Sequence, residues 1–206
     1  MGVMGTRREM LATRSGDNQC TLAYVNSVGA NDGLVFDGGG FVFQCGKPML
    51  EAPRWVESWT ATVVDLDRTR RLRTENTTWR NDCLDAAQSP IKPTVVPAFG
   101  KGAERGSLAY PTPSHGSFFL PGSFASRNAR EDFCDDLLDA LGLGVWDYYE
   151  KTRAFKGFGL ALSGGRDSLL TLLITWRAIQ KRYADLPDDA RKVKTGEMLH
   201  AFYMPS

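Results

Sequence analysis

The clearest chemistry in this 206-residue chain lies in six consecutive residues, Ser163-Gly164-Gly165-Arg166-Asp167-Ser168. They follow a short apolar run, FGLAL (158–162), and precede LLTLLITWRAIQKRY (169–183), which reads as an apolar helix. A strand that runs through glycines into a helix is suited to holding an anion. Backbone amides at a helix N-terminus lack intrahelical partners and carry partial positive charge. Two glycines let a phosphate reach those amides with no Cβ in the way. Ser163 and Ser168 add hydroxyl donors. Asp167 would repel a polyphosphate unless Mg²⁺ lay between them, since Mg²⁺ is held by carboxylate and phosphate oxygens together. The pattern therefore predicts a Mg-nucleotide site, with the anion on the loop and Asp167 on the metal. It is not a Walker A loop, because no GxxxxGK[ST] occurs. A plain strand-to-helix turn with an N-cap serine is the competing reading, and the strand–loop–helix–strand context argues against it.

The surrounding elements must position that loop. FGLAL reads as a short buried strand. After a polar loop around Pro187, MLHAFYM (198–204) reads as a second strand. Together they make one βαβ unit, hence a parallel sheet with a right-handed crossover. Residues 129–151 read as a helix. Asn128 and Glu131 have capping-box spacing, and Phe133, Leu137, Leu141 and Val145 recur at four-residue steps. Its aromatic residues, Trp146 and Tyr149, are expected in the core.

Further upstream the chain is rich in β-formers. It opens as helix, then CTLAYVNSV (20–28) reads as a strand, and Asn31-Asp32-Gly33 is a turn signal. LVFDGGGFVFQCG (34–46) is expected to give two short strands around a glycine corner, with Asp37-Gly38 a second tight turn. WTATVVDLD (59–67) alternates as a further strand, and RTRRLR (68–73) starts a solvated helix face. From about Ser89 to Ser126, Pro90, Pro93, Pro97, Pro111, Pro113 and Pro121 lie among glycines and serines, which marks a linker or surface crossing. His115 lies in this crossing with no partnering nucleophile.

Composition excludes several classes. With 25 basic and 24 acidic side chains the net charge is +1, so affinity for nucleic acid through global basicity is not expected. No apolar run is long enough for a membrane helix, and the N-terminal residues lack a secretory core. Cys20, Cys45, Cys83 and Cys134 are widely separated with no CxxC pair, so a zinc site is not expected. Free, mostly buried thiols in a reducing cytoplasm are the expectation. The sequon Asn76-Thr77-Thr78 is then a chance match.

SGGRDS resembles the SGGxDS signature of the ATP pyrophosphatase (PP-loop) superfamily. Its flanks narrow the resemblance. LGLGVWDYYEKTRAFKGFGLALSGGRDS (141–168) is similar to the entry into the synthetase domain of the glutamine-dependent NAD⁺ synthetase family. AYVNSVGANDGLVFDGGGFVFQCGK (23–47) resembles the YxNxxGxxDxLVFDGxS segment of that family's nitrilase-like glutaminase domain, and WTATVVDLDRTRRLR fits its closing VxDxD strand. The resemblance implies an α/β fold: residues 1–88 as the C-terminal part of a nitrilase-like α-β-β-α domain, 89–127 as an interdomain crossing, and 128–206 as the N-terminal part of a PP-loop (adenine nucleotide α hydrolase-like) parallel-sheet domain. It implies that the chain is an internal piece of a longer enzyme.

The implied activity is ATP-dependent amidation of deamido-NAD⁺ through an adenylated intermediate, with ammonia from glutamine. Implied cofactors are ATP and Mg²⁺. Implied ATP-binding residues are Ala161, Leu162, Ser163, Gly164, Gly165, Arg166, Asp167 and Ser168, with Asp167 on the metal. The implied partners are deamido-NAD⁺, glutamine or ammonia, and further copies in a homo-oligomer. No nucleic acid or membrane is implied, and the place is the cytoplasm. Another PP-loop enzyme, an amidotransferase or a tRNA-modifying one, is the alternative, and a degenerate nucleotide-binding module is a third. The family's Cys-Glu-Lys triad is not carried over. None of the four cysteines stands in the L-C-E-D context of the nucleophile, and Cys20 lies in DNQCTL. Near the start, Thr6-Arg7-Arg8-Glu9 matches the end of a glutamine-contacting stretch, with Val3 where a basic residue is expected. Arg166 replaces a residue that is commonly small or apolar.

Overall fold

The structure is a computed structural model that describes residues 3–91, 94, 112–113, 116–121 and 128–203. Most of the Pro/Gly crossing, His115 and Met204 lie outside the described residues. The chain opens with helix α1 (Val3–Asp17), then β1 (Thr21–Val25), β2 (Val28–Asn31), β3 (Leu34–Gln44) and β4 (Lys47–Arg54). Helices α2 (Leu66–Glu75) and α3 (Thr77–Gln88) follow. After the crossing come α4 (Ala129–Thr152), β5 (Phe158–Leu162), α5 (Arg166–Arg182), α6 (Asp188–Met198) and β6 (Leu199–Tyr203).

The first sheet is antiparallel and built on β3. Strands β1 and β2 run one after the other along one edge of β3, and β4 lies along the other. The residues expected as two strands around a glycine corner therefore form one strand. Gly38 and Gly39 adopt positive φ and bend β3 without breaking its ladder, so Asp37-Gly38 is not a turn. The Asn31-Asp32-Gly33 signal holds: Asn31 pairs with Leu34 and Asp32 has φ 51°. Leu11 of α1 packs on Phe41 and Phe43, with Met4, Leu22 and Tyr24 around them.

The strand expected at 59–67 does not form. Residues 57–65 hold no regular element and Trp59 is 87% exposed. Alternation predicts a strand only where a partner supplies the ladder, and no described strand lies alongside. Asp65 instead caps α2, its carboxylate accepting from Arg68 N at 3.0 Å. Asn76 ends α2 and caps α3, accepting from Trp79 N at 3.1 Å.

The second half is the expected βαβ unit with three corrections. α5 starts at Arg166, not Leu169, so half of the six-residue motif is helical. The polar stretch after Pro187 folds as α6, whose first turn carries Asp188 and Asp189, favourable at a helix N-terminus. β5 is half-buried because its sheet has two strands and helices cover one face. β5 and β6 pair in parallel, Phe158 with Leu199 through Leu162 with Tyr203. Trp146, Ala178, Ile179 and Met198 form the core, packed by Tyr149, Phe158, Tyr183 and Leu199. Trp146 and Tyr149 thus lie where the helical pattern put them. Burying Ile179 completely is worth about 1.5–3 kcal/mol.

The cysteines are free, as expected, but Cys83 and Cys134 are exposed and Cys20 and Cys45 half-buried. The exposed pair lie on helical faces that no described element covers. No helix among the described residues is long and apolar enough to cross a membrane.

Candidate functional site

All eight candidate residues lie in one continuous strand–loop–helix segment. Ala161 and Leu162 close β5, Ser163 and Gly164 form the loop, Gly165 is the helix N-cap, and Arg166, Asp167 and Ser168 make the first turn of α5. Gly164 sits at φ +80°, where an L side chain is strained, and a Cβ there would meet nothing within 4 Å. The loop is thus both shaped by glycine and open above it.

Hydroxyls knit the loop together. Ser168 Oγ donates to Gly165 O at 3.0 Å and lies 3.4 Å from Ser163 Oγ. Gly165 N donates to Ser163 Oγ at 3.4 Å. The first rung of the helix is Leu169 N to Gly165 O at 3.3 Å, so the amides of Arg166, Asp167 and Ser168 precede the hydrogen-bonded ladder. An N-cap serine, the bland explanation of the motif, is not what is found: the cap is glycine and no side chain caps the helix. Arg166 and Asp167 are exposed. The loop leaves the carboxyl end of β5 beside Tyr203, the last residue of β6. Open parallel sheets bind ligands at that end of their strands.

This donor set fits an anion, because it offers open amides at a helix start, two hydroxyls and a guanidinium. Asp167, one exposed carboxylate beside those amides, fits a Mg²⁺ that shares its other ligands with phosphate and water.

Other residues of the resemblance fall elsewhere. Arg7 and Arg8, in the stretch matched to a glutamine contact, face carboxylates: Arg7 Nη1 lies 3.2 Å from Asp37 and Arg8 Nη2 2.6 Å from Glu51.

Sequence reasoning missed a polar cleft of about 540 Å³ where the two halves meet, lined among others by Arg54, Trp55, Asp139, Trp146, Arg177 and Lys181. Asp139 is the buried charge there. Its carboxylate accepts from Arg177 Nε at 2.7 Å and Lys181 Nζ at 2.9 Å. Burial disfavours its ionisation, but these hydrogen bonds and charges outweigh that cost and hold its pKa below the ordinary carboxylate value. Residue spacing could have suggested the Asp139 contacts only once α4 and α5 were known to pack together.

No protein-family model matches the chain. Among curated proteins, the glutamine-dependent NAD(+) synthetase of Aquifex aeolicus is 30% identical over 164 residues, covering 79% of this chain and 25% of that protein. The enzyme of the same name from Thermotoga maritima is 29% identical over 175 residues, 85% of this chain and 27% of that protein. The chain is homologous to a region of glutamine-dependent NAD(+) synthetase. It spans about a quarter of the length of these curated relatives. Two solved glutamine-dependent NAD(+) synthetase structures share its α/β fold. The Acinetobacter baumannii enzyme, in complex with ADP, has a TM-score of 0.56 at 21% identity, covering 98% of this chain and 31% of its own. The Cytophaga hutchinsonii enzyme also has a TM-score of 0.56, at 18% identity, covering 98% and 29%.

Proposed function

We propose that this chain belongs to an ATP-dependent carbon–nitrogen ligase that amidates deamido-NAD⁺ to NAD⁺, and that residues 161–168 hold its ATP. The observation that carries this reading is the open SGGRDS loop at the carboxyl end of a parallel strand, within a region homologous to NAD(+) synthetases. In this reading the deamido-NAD⁺ carboxylate attacks the α-phosphorus of ATP, forming an acyl adenylate and releasing pyrophosphate. Ammonia from glutamine then displaces AMP and forms the amide bond.

The chain's own residues act on the phosphates. The amides that open α5 and the hydroxyls of Ser163 and Ser168 bind the β- and γ-phosphates that leave as pyrophosphate, stabilising the charge that develops there. Gly164 keeps the approach open, and Arg166 lends a positive charge at the loop rim. Asp167 would hold Mg²⁺, which would neutralise the polyphosphate charge when bound. Residues 1–88 are read as part of the nitrilase-like glutaminase domain, 89–127 as the crossing and 128–206 as the start of the synthetase domain. A homo-oligomeric, cytoplasmic enzyme belongs to the same reading.

Exchange of labelled pyrophosphate into ATP tests the acceptor, in the longest form of the protein its gene encodes. Exchange that depends on deamido-NAD⁺ is expected. Exchange with xanthylate or a tRNA, and none with deamido-NAD⁺, would contradict the assignment.

A further inference from the structure

We propose that Arg54 is a positioning residue: with Asp136 it clasps α4 onto the first sheet and so fixes the helical layer that carries the 163–168 loop. The relevance to nucleotide chemistry rests on the reading above. The clasp itself rests on geometry alone.

Arg54 ends β4 and stands between two carboxylates. Its Nη1 bonds both oxygens of Asp136 on α4, at 2.8 and 3.0 Å, and its Nη2 lies 3.3 Å from Asp37 on β3. Asp37 in turn takes Arg7 of α1 at 3.2 Å and the Asn26 amide at 2.6 Å. Two arginines and two aspartates thus alternate in a neutral chain from α1 through β3 and β4 to α4. Their side chains are only 18–24% exposed, so water screens these contacts less than it would surface pairs. The neighbouring Trp55 lies under the Arg54 guanidinium, 4.8 Å from it, and its indole N–H points at Asp136 Oδ1 across 3.4 Å. The sheet makes room for this arrangement. Gly39 has φ +76°, and a Cβ there would sit 2.9 Å from Arg54 Cγ.

A second anchor lies eleven residues along α4, about three turns, and so on the same helix face. Asp147 accepts from Ala30 N at 2.6 Å, and Lys151 donates to Ala30 O. Ala30 belongs to β2, and its N–H and C=O point away from β3 to the outer edge of the strand. Side chains of α4 therefore satisfy the free edge of β2, a common way to cover an unpaired strand. One anchor at Asp136 and one at Asp147 fix both the position of α4 and its rotation about its own axis. Asp139, between them, then ties α4 to α5 through Arg177 and Lys181. The same helix thus faces the sheet with Asp136 and Asp147 and faces α5 with Asp135, Asp139 and Glu150.

The distances also give an asymmetry. Removing Asp136 leaves Arg54 paired with Asp37. Removing Arg54 leaves Asp136, a half-buried carboxylate, without its guanidinium counter-charge.

Amide hydrogen exchange and NMR on the intact chain test this without nucleotide. In Arg54→Ala the Ala30 amide is expected to exchange roughly tenfold faster, the size of losing one charge-assisted contact, while the β1–β3 ladder keeps its protection. The Trp55 indole N–H resonance is expected to move, and Arg54→Lys to recover part of the protection. If Arg54→Ala does not fold, Asp136→Asn serves, with the same local change in Ala30 and Trp55 and a smaller amplitude. Unchanged Ala30 exchange and an unmoved Trp55 signal in a folded variant would overturn the proposal. So would protection lost equally in β1–β3 and at Ala30, which reports general destabilisation rather than a clasp. Failure of the nucleotide reading shows separately, as absent Mg-ATP binding by the unaltered chain.

Discussion

Asp139→Asn removes the most buried of the carboxylates that tie α4 to α5. The Asp139 side chain is 8% exposed and accepts from two cations, at 2.7 and 2.9 Å. Hydrogen bonds to charged groups in proteins contribute about 1.5–3 kcal/mol each. The cations are more open, Arg177 at 30% and Lys181 at 45% exposed, so solvent screening lowers the attraction. Asparagine keeps one acceptor oxygen for Arg177 but presents an N–H₂ donor toward Lys181. The net loss at neutral pH is then about 2 kcal/mol, and a change of that size lowers Tm by about 4–8 °C in a chain of this length. The pH dependence follows from the direction of the shift. The folded pKa of Asp139 lies below the ordinary carboxylate value of 3.8, so its stabilisation is present above that value. It is lost as pH falls through the lowered folded pKa. Urea unfolding followed by tryptophan fluorescence, at neutral pH and stepwise down, measures the gap between the chain and its variant. The gap is expected to be full at pH 5–7 and to close at the acid end. No gap at neutral pH, or one that stays constant down to the lowest pH at which both fold, would overturn this role for Asp139.

Three further outcomes follow from the same structure. Ile179→Ala, at a side chain with no exposure, is expected to cost about 3 kcal/mol in urea unfolding and to weaken the near-UV signal of the adjoining Trp146–Tyr183 pair. Asn76→Ala removes the cap shared by the α2–α3 junction and is expected to cost about 1 kcal/mol, with a small loss of helical circular dichroism. Gly164→Ala is expected to cost about 1 kcal/mol of stability from its positive φ. It should also weaken nucleotide binding, because the methyl occupies the space above the loop; wild-type affinity would contradict that role.

Local signals carried far in this sequence where the physics is local. The strand–glycine–helix order of 158–183, the capping of α4 by Asn128 and the turn at Asp32 all depend on residues a few positions apart, and each forms. The departures come from long-range partners. WTATVVDLD has strand periodicity, but no described strand stands beside it, and Asp65 finds the helix start instead. Three glycines suggested a break in 34–46, yet β1, β2 and β4 hold β3 as one strand across the bend. The α6 start at Pro187-Asp188-Asp189 carries a helix N-terminal signal, although the polar composition around it suggests a loop. The Arg54–Asp136 contact joins residues 82 positions apart, and nothing in a single sequence pairs them.

In the proposed function the SGGRDS loop binds Mg-ATP through the α5 N-terminus with Asp167 on the metal. Calorimetric titration of the chain with ATP, with and without Mg²⁺, tests it most directly when Asp167→Asn is run beside it. Saturable binding that Mg²⁺ strengthens is expected, with a variant that still binds ATP but has lost most of the Mg²⁺ enhancement. No heat at millimolar ATP, or a variant whose Mg²⁺ response equals that of the unaltered chain, would contradict it.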